Sequence, residues 1–139
     1  MRTKNKIYLF ILILAISSVL SSCSYSYRMT EYYSDDENYE ILSGEITKIS
    51  NFESDLYITI DFSDGEYSKI AYVLISANEQ ILRSNNFYEE VNVGDMITFT
   101  TAPRIFYDSY DLPIVSLSFN NKVYLEFDQG KVNLLESFK

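Results

Sequence analysis

Leu56-Tyr57-Ile58-Thr59-Ile60-Asp61-Phe62 places an aliphatic or aromatic residue at every second position and a polar or amphipathic one between. Side chains of a strand alternate between its two faces, so this period predicts a half-buried β-strand. Ser63-Asp64-Gly65-Glu66 follows, and Asp-Gly predicts a hairpin because glycine accepts the positive φ of a tight turn. Lys69 to Ile75 is the expected return strand. Upstream, Glu40 to Ser50 reads as a first strand, with Gly44 marking a bulge or bend and Asn51 to Asp55 forming the turn. Together these stretches predict a three-stranded meander.

Downstream the period changes. Ile81, Leu82, Tyr88 and Val91 leave a helical stripe, with Ser76 or Asn78 available as cap and Asn85-Asn86 as stop, so one short helix of about two turns is expected. Val93-Gly94-Asp95 turns the chain into Met96–Thr101, where Ile97 and Phe99 share a face. Pro103 and Pro113 bracket a long aromatic connection, after which Val115, Leu117 and Phe119 alternate again. Asn120-Asn121 predicts a tight turn into a last strand carrying Val123, Leu125 and Phe127. Gly130 then precedes a short terminal segment with Val132, Leu134, Leu135 and Phe138, a candidate helix packed on the sheet.

Three meandering strands, a helix and two or three further strands resemble the OB-fold, a small Greek-key barrel with a helix between its third and fourth strands. The resemblance is architectural and covers about residues 40–127. The fold expected is mainly β with one short helix, an OB-like Greek-key barrel. An α+β antiparallel sheet with one covering helix is the alternative.

The leader carries its own signal. Arg2, Lys4 and Lys6 form a basic segment, and Ile7 to Leu20 is then apolar apart from Tyr8, Ser17 and Ser18. A helix of that length rises about 21 Å, short of the roughly 30 Å hydrocarbon core, so it reads as a secretory segment. Leu20-Ser21-Ser22-Cys23 follows. The segment resembles bacterial lipoprotein signal peptides, whose lipobox is an aliphatic residue, two small residues and a cysteine. The resemblance implies cleavage after residue 22, palmitate-type acylation of Cys23 and anchorage in the cell membrane on its extracytoplasmic face. Each buried CH₂ contributes about 0.8 kcal/mol, so two or three acyl chains anchor a protein stably where one does not. The expected organisation is a signal peptide over 1–22, a lipidated N-terminus and flexible tether over 23–38, and a single β-rich domain over 39–139.

Composition narrows the function. The 139 residues hold 11 basic and 20 acidic side chains, no His and one Cys. The absence of His excludes Ser-His-Asp and Cys-His nucleophile systems and all His-containing metal sites. Removing residues 1–22 takes Arg2, Lys4 and Lys6 but no acidic residue, so the mature chain carries 8 basic and 20 acidic groups, a formal charge of -12. Such a surface argues against nucleic acid, which needs a basic groove for its phosphates, and favours a basic partner. Asp61, Asp64, Gly65 and Glu66 do not meet the spacing of a calcium loop, and Asp64-Gly65 fits the hairpin turn better. No cofactor or metal is expected.

If the OB resemblance holds, ligands would meet strands two and three between the first-second and fourth-fifth loops. Those elements bring Phe52, Tyr57 and Tyr72 toward Arg104, Phe106, Tyr107 and Tyr110. Rings of this kind stack on sugars or clamp another protein, and the Arg guanidinium adds directional hydrogen bonds. The function expected is therefore a lipid-anchored binding or accessory module for a protein, peptide or cell-wall glycan. The alternative is a small envelope hydrolase using a carboxylate pair, for which no motif selects two of the 20 acidic residues.

Overall fold

The computed structural model describes residues 26–52, 55–61, 71–102 and 111–139. The meander is present as β1 (Glu40–Phe52), β2 (Asp55–Asp61) and β3 (Ala71–Leu74), paired antiparallel in sequence order. Leu56, Ile58 and Ile60 are buried while Tyr57 and Thr59 are half-buried, as the period of two requires. The expected Asp64-Gly65 turn lies outside the described residues.

β1 is long because two partners share it. Glu40 to Glu45 pairs with β4 (Met96–Thr101), and Glu45 to Phe52 pairs with β2. The register shifts between Ile46 and Lys48, leaving Thr47 as the extra residue, and its hydroxyl donates to the Thr59 carbonyl at 3.1 Å. The bulge thus falls at Thr47 and not at Gly44, which pairs regularly with Ile97. Its place follows from the neighbouring turn: Gly94 N–H donates to the Ile46 carbonyl at 2.8 Å, and Ile46 N–H to Asp95 at 3.0 Å. Gly94 has a φ of +96°, so a glycine is needed there.

Between β3 and β4 the expected single helix is two, α2 (Ser76–Ser84) and α3 (Phe87–Glu90), with α1 being the helix over 26–34 described below. The break is at Asn85-Asn86, where Asn86 adopts a left-handed φ of 62°. Ile75 occupies the N-cap position of α2, so neither Ser76 nor Asn78 caps it. Asn78 is instead fully buried. Its amide donates to the Ile114 and Gly130 carbonyls at 3.3 and 3.2 Å and accepts from Asn133 at 2.9 Å, satisfying a polar group that burial would otherwise penalise.

β5 (Asp111–Phe119) pairs with β4, and β6 (Lys122–Leu125) pairs with β5. The turn between them is Asn120-Asn121, with φ of 49° and 64°, the doubly left-handed geometry that twisted hairpins favour. The strand order is β3-β2-β1-β4-β5-β6, and β3 also meets β5 in parallel over Ala71–Val73 and Asp111–Pro113. A meander, a helical crossover and a return of β4 beside β1 make an OB-like Greek-key barrel. The β3–β5 seam is only three residue pairs long, so the barrel is partly open. Its interior is filled by Ile46, Ile58, Ile60, Tyr72, Leu82, Phe99, Leu117 and neighbours.

Two segments depart from expectation. Phe127 does not end the last strand; it opens α4 (Phe127–Glu136), which contains Gly130. Gly130 lies against Val115, the extra residue of a bulge in β5 opposite Thr100/Thr101, and this contact lets α4 lie directly on the strand. Residues 26–34, expected within a flexible coil, form α1, followed by a short 3₁₀ turn at Asp36–Asn38. The physical reason is a second apolar cluster outside the barrel. Met29 and Tyr33 of α1 are buried with Val115, Ala102 and Leu134, and the Tyr33 ring stacks on Phe138 at 5.6 Å. Tyr33, within the segment expected to be a tether, is thus a packing residue, and Tyr32 packs against the same cluster.

Candidate functional site

The outward face of β1, β4, β5 and β6 forms a groove of about 400 Å³. Its floor is set by alternation. Ile97 and Phe99 of β4 point into the barrel, so Thr100 points out, and Ser116 and Ser118 of β5 line the groove beside it. These side chains are short, which keeps the floor low. Two of them bond to one another: Ser116 donates to the Thr100 hydroxyl at 2.6 Å.

Larger residues wall the floor. Ile41, 74 % exposed, and Val123 line the groove from the two flanking strands. At its other end stand Tyr39 and Phe127, with ring centroids 5.2 Å apart in an edge-to-face arrangement. The Tyr39 hydroxyl donates to the Tyr33 carbonyl at 2.9 Å, fixing the ring against α1. Burial, and then the nearby Tyr33, Asp36 and Tyr32, push the Tyr39 phenol well above its ordinary value, so it stays a neutral donor. Among the described residues, Asp36 and Glu126 are the acidic side chains of the lining. Lys131 bonds Asp36 and donates to the Ser34 carbonyl at 2.7 Å, which ties the 3₁₀ turn to α4. Hydroxyls, two rings and two carboxylates in one groove suit a ligand rich in hydrogen-bonding groups.

A second polar cluster braces the barrel. Lys122 of β6 meets both carboxylate oxygens of Glu90 at 2.7 and 2.8 Å, and the Tyr124 hydroxyl donates to the same carboxylate at 2.5 Å. Those bonds hold the Glu90 carboxyl below its ordinary range. Burial, reinforced by the bond to Glu90, pushes the Tyr124 phenol up to about 12.

Tyr57 and Tyr72, the described side chains among those singled out from the sequence, do not line the groove. Tyr72 is fully buried, with its ring 4.8 Å from Phe99 in the barrel core, so it is a packing residue and not a binding surface. Tyr57 is half-buried on β2. The backbone of Phe52 ends β1 opposite Asp55, but its side chain lies outside what is described. Arg104, Phe106, Tyr107 and Tyr110 fall in the β4–β5 connection, outside the described residues, as does Cys23. Sequence reading missed the groove because Asp36 and Tyr39 were assigned to a tether and its edge, and Phe127 to a strand. The hydroxyls Thr100, Ser116 and Ser118 were the available signal. Among the described residues, no helix is long and apolar enough to cross a membrane, and no three acidic or thiol side chains are grouped to hold a metal ion.

No protein-family model and no curated protein sequence matches the chain. Among solved structures, it is similar to a chain of the S. pombe Stn1-Ten1 complex at 13 % identity and a TM-score of 0.49, over 71 % of this chain and 66 % of that one. It is also similar to the OBody AM3L09 bound to hen egg-white lysozyme, at 9 % identity and a TM-score of 0.44, over 60 % of this chain and 82 % of that one.

Proposed function

We propose that this protein is a lipid-anchored binding module of a bacterial cell envelope, held at the extracytoplasmic face through Cys23. The observation that carries the reading is the coincidence of the only cysteine with the last position of Leu20-Ser21-Ser22-Cys23, behind a basic and then apolar leader. The groove supplies the binding element. Its hydroxyl floor, the Tyr39 and Phe127 rings and the carboxylates of Asp36 and Glu126 suit a cell-wall glycan or a basic protein or peptide segment. The charge of -12 on the mature chain steers toward cationic partners and away from nucleic acid.

The test has two arms on the full-length protein. Fractionation of cells should place the native chain in the membrane and release Cys23→Ser from it. Detergent-solubilised protein, titrated with cell-wall glycan fragments and separately with a lysine-rich peptide, should bind one of them, and Ser116→Arg, which fills the groove, should abolish that binding. Undiminished binding by Ser116→Arg would remove the groove from the account. Cleavage of a glycan fragment during the titration would favour a hydrolase, with Asp36 and Glu126 the first carboxylates to replace.

A further inference from the structure

We propose that α1 is a rigid spacer that fixes the barrel's orientation on the membrane, with the Ser26 end of α1 and the C-terminal end of α4 against the lipid and the groove turned away. The inference rests on the lipid-anchor reading of Cys23. It starts from how closely the anchor adjoins ordered structure. Only three Cα steps separate Cys23 from Ser26, the first described residue of α1, a reach of at most about 11 Å. A leash so short cannot let the barrel turn freely if α1 is fixed to it.

α1 is fixed along its length. Its partners lie on α4 and the residues after it. Ser26 donates to the Phe138 carbonyl, Tyr33 stacks on Phe138, the Ser34 carbonyl accepts from Lys131, and Tyr39 beyond the helix meets Phe127. Ser26, at the start of the described helix, thus lies against Phe138, just past the end of α4, so the chain's C-terminal residues lie at the anchored end. The nine described residues of α1 rise about 13 Å. Asp36 and Tyr39, which line the groove, come after that rise, so the groove sits at the far end of the pair.

Charge points the same way. The anchored end carries Arg28 and Lys139 beside Glu31 and Glu136, a balance of zero. The far end carries Asp35, Asp36, Glu37, Glu126 and Asp128 against Lys131 alone. An anionic head-group surface repels the second set and tolerates the first. Anchor length, helix docking and charge thus select one pose, and a partner reaching the groove does so from the side facing away from the lipid.

Since Cys23 is the sole cysteine and its thiol is acylated in this reading, a cysteine introduced elsewhere is the only one open to a spin label. Asp128→Cys in the first turn of α4 and Lys139→Cys just past its last place labels toward opposite ends of a helix whose ten residues rise about 15 Å. The full lipidated chain is reconstituted in phosphatidylcholine–phosphatidylglycerol vesicles bearing nickel-chelating head groups, after mass analysis of Cys23. The proposal expects several-fold stronger relaxation of the label at 139 than of that at 128. It also expects the contrast to collapse when eight Gly/Ser residues are inserted between Tyr25 and Ser26, ahead of every described residue of α1. Equal relaxation at the two sites in the acylated native chain, or stronger relaxation at 128, overturns the proposal while leaving the anchor standing. An unmodified Cys23 overturns both.

Discussion

Gly130→Ala inverts the usual outcome of adding a methyl group to a helix. At an exposed helical site the change stabilises by up to about 1 kcal/mol, because alanine has the higher helix propensity. At Gly130 the new Cβ would stand 2.0 Å from the Val115 carbonyl oxygen, 2.7 Å from its carbon and 3.0 Å from its Cα. Ordinary contact begins near 3.4 Å, so a gap of more than an ångström must open. β5 is held on both sides of the bulge, by β3 up to Pro113 and by β6 from Leu117, with β4 alongside. α4 must lift instead, and it takes with it the Asn78–Gly130 hydrogen bond and the packing of Leu134 on Val115. Overpacking of this kind costs about 1–3 kcal/mol and the loosened bond about 1 more, for a net loss of about 2 kcal/mol after the propensity gain. For a domain of this size that lowers Tm by roughly 10 °C. Thermal and urea unfolding followed by circular dichroism measure the loss. Tryptic cleavage after Arg28 reads the coupled release of α1, because Met29 and Tyr33 share the cluster that lifts. An unchanged or raised Tm would refute the close docking of α4 on β5.

Asn78→Ala removes the amide that joins α2, β5 and α4, and should cost about 2 kcal/mol in urea unfolding by leaving buried groups unpaired. Glu90→Gln tests the brace by its pH dependence. The folded-state value of Glu90 is depressed, so its contribution is present above the unfolded carboxylate value and is lost as pH falls through the folded one. The stability gap between native protein and Glu90→Gln should be full at neutral pH and narrow under acid. Tyr124 has the opposite sense. With its folded value raised to about 12, its contribution is full below the unfolded phenol value and lost as pH rises through about 12. Absorbance titration of Tyr124→Phe should therefore lack a phenolate that the native chain develops only near that pH. Lys131→Met should free the 3₁₀ turn from α4, seen as faster amide exchange at Asp36–Asn38 without a large change in Tm.

The barrel was legible wherever one face of a strand is buried, because burial imposes a period of two. Leu56 to Ile60 and the Asn120-Asn121 turn are the plainest cases. What escaped depends on contacts between segments distant in sequence. Gly130 reads as a helix boundary by propensity and becomes a helix interior because Val115 approaches its bare Cα. Tyr33 reads as linker until Phe138 is placed on it. Tyr72 carries the alternation of a core residue, and its aromatic ring suggested recognition where it supplies packing on Phe99. The groove was invisible for the same reason, since Asp36, Thr100, Ser116 and Phe127 meet only once α4 folds back over β5. The lipoprotein leader we propose rests on a linear pattern, Leu20-Ser21-Ser22-Cys23, which is read without tertiary context.

The proposal that the chain is an envelope lipoprotein anchored through Cys23 is tested most directly at the mature N-terminus. Protein expressed in a bacterium from the full-length gene is extracted from membranes, digested with trypsin and analysed by tandem mass spectrometry. The account predicts a terminal peptide Cys23–Arg28 bearing a diacylglyceryl group on its sulfur, with no peptide from residues 1–22. An intact leader, or a peptide beginning at Cys23 with an unmodified thiol, would contradict it.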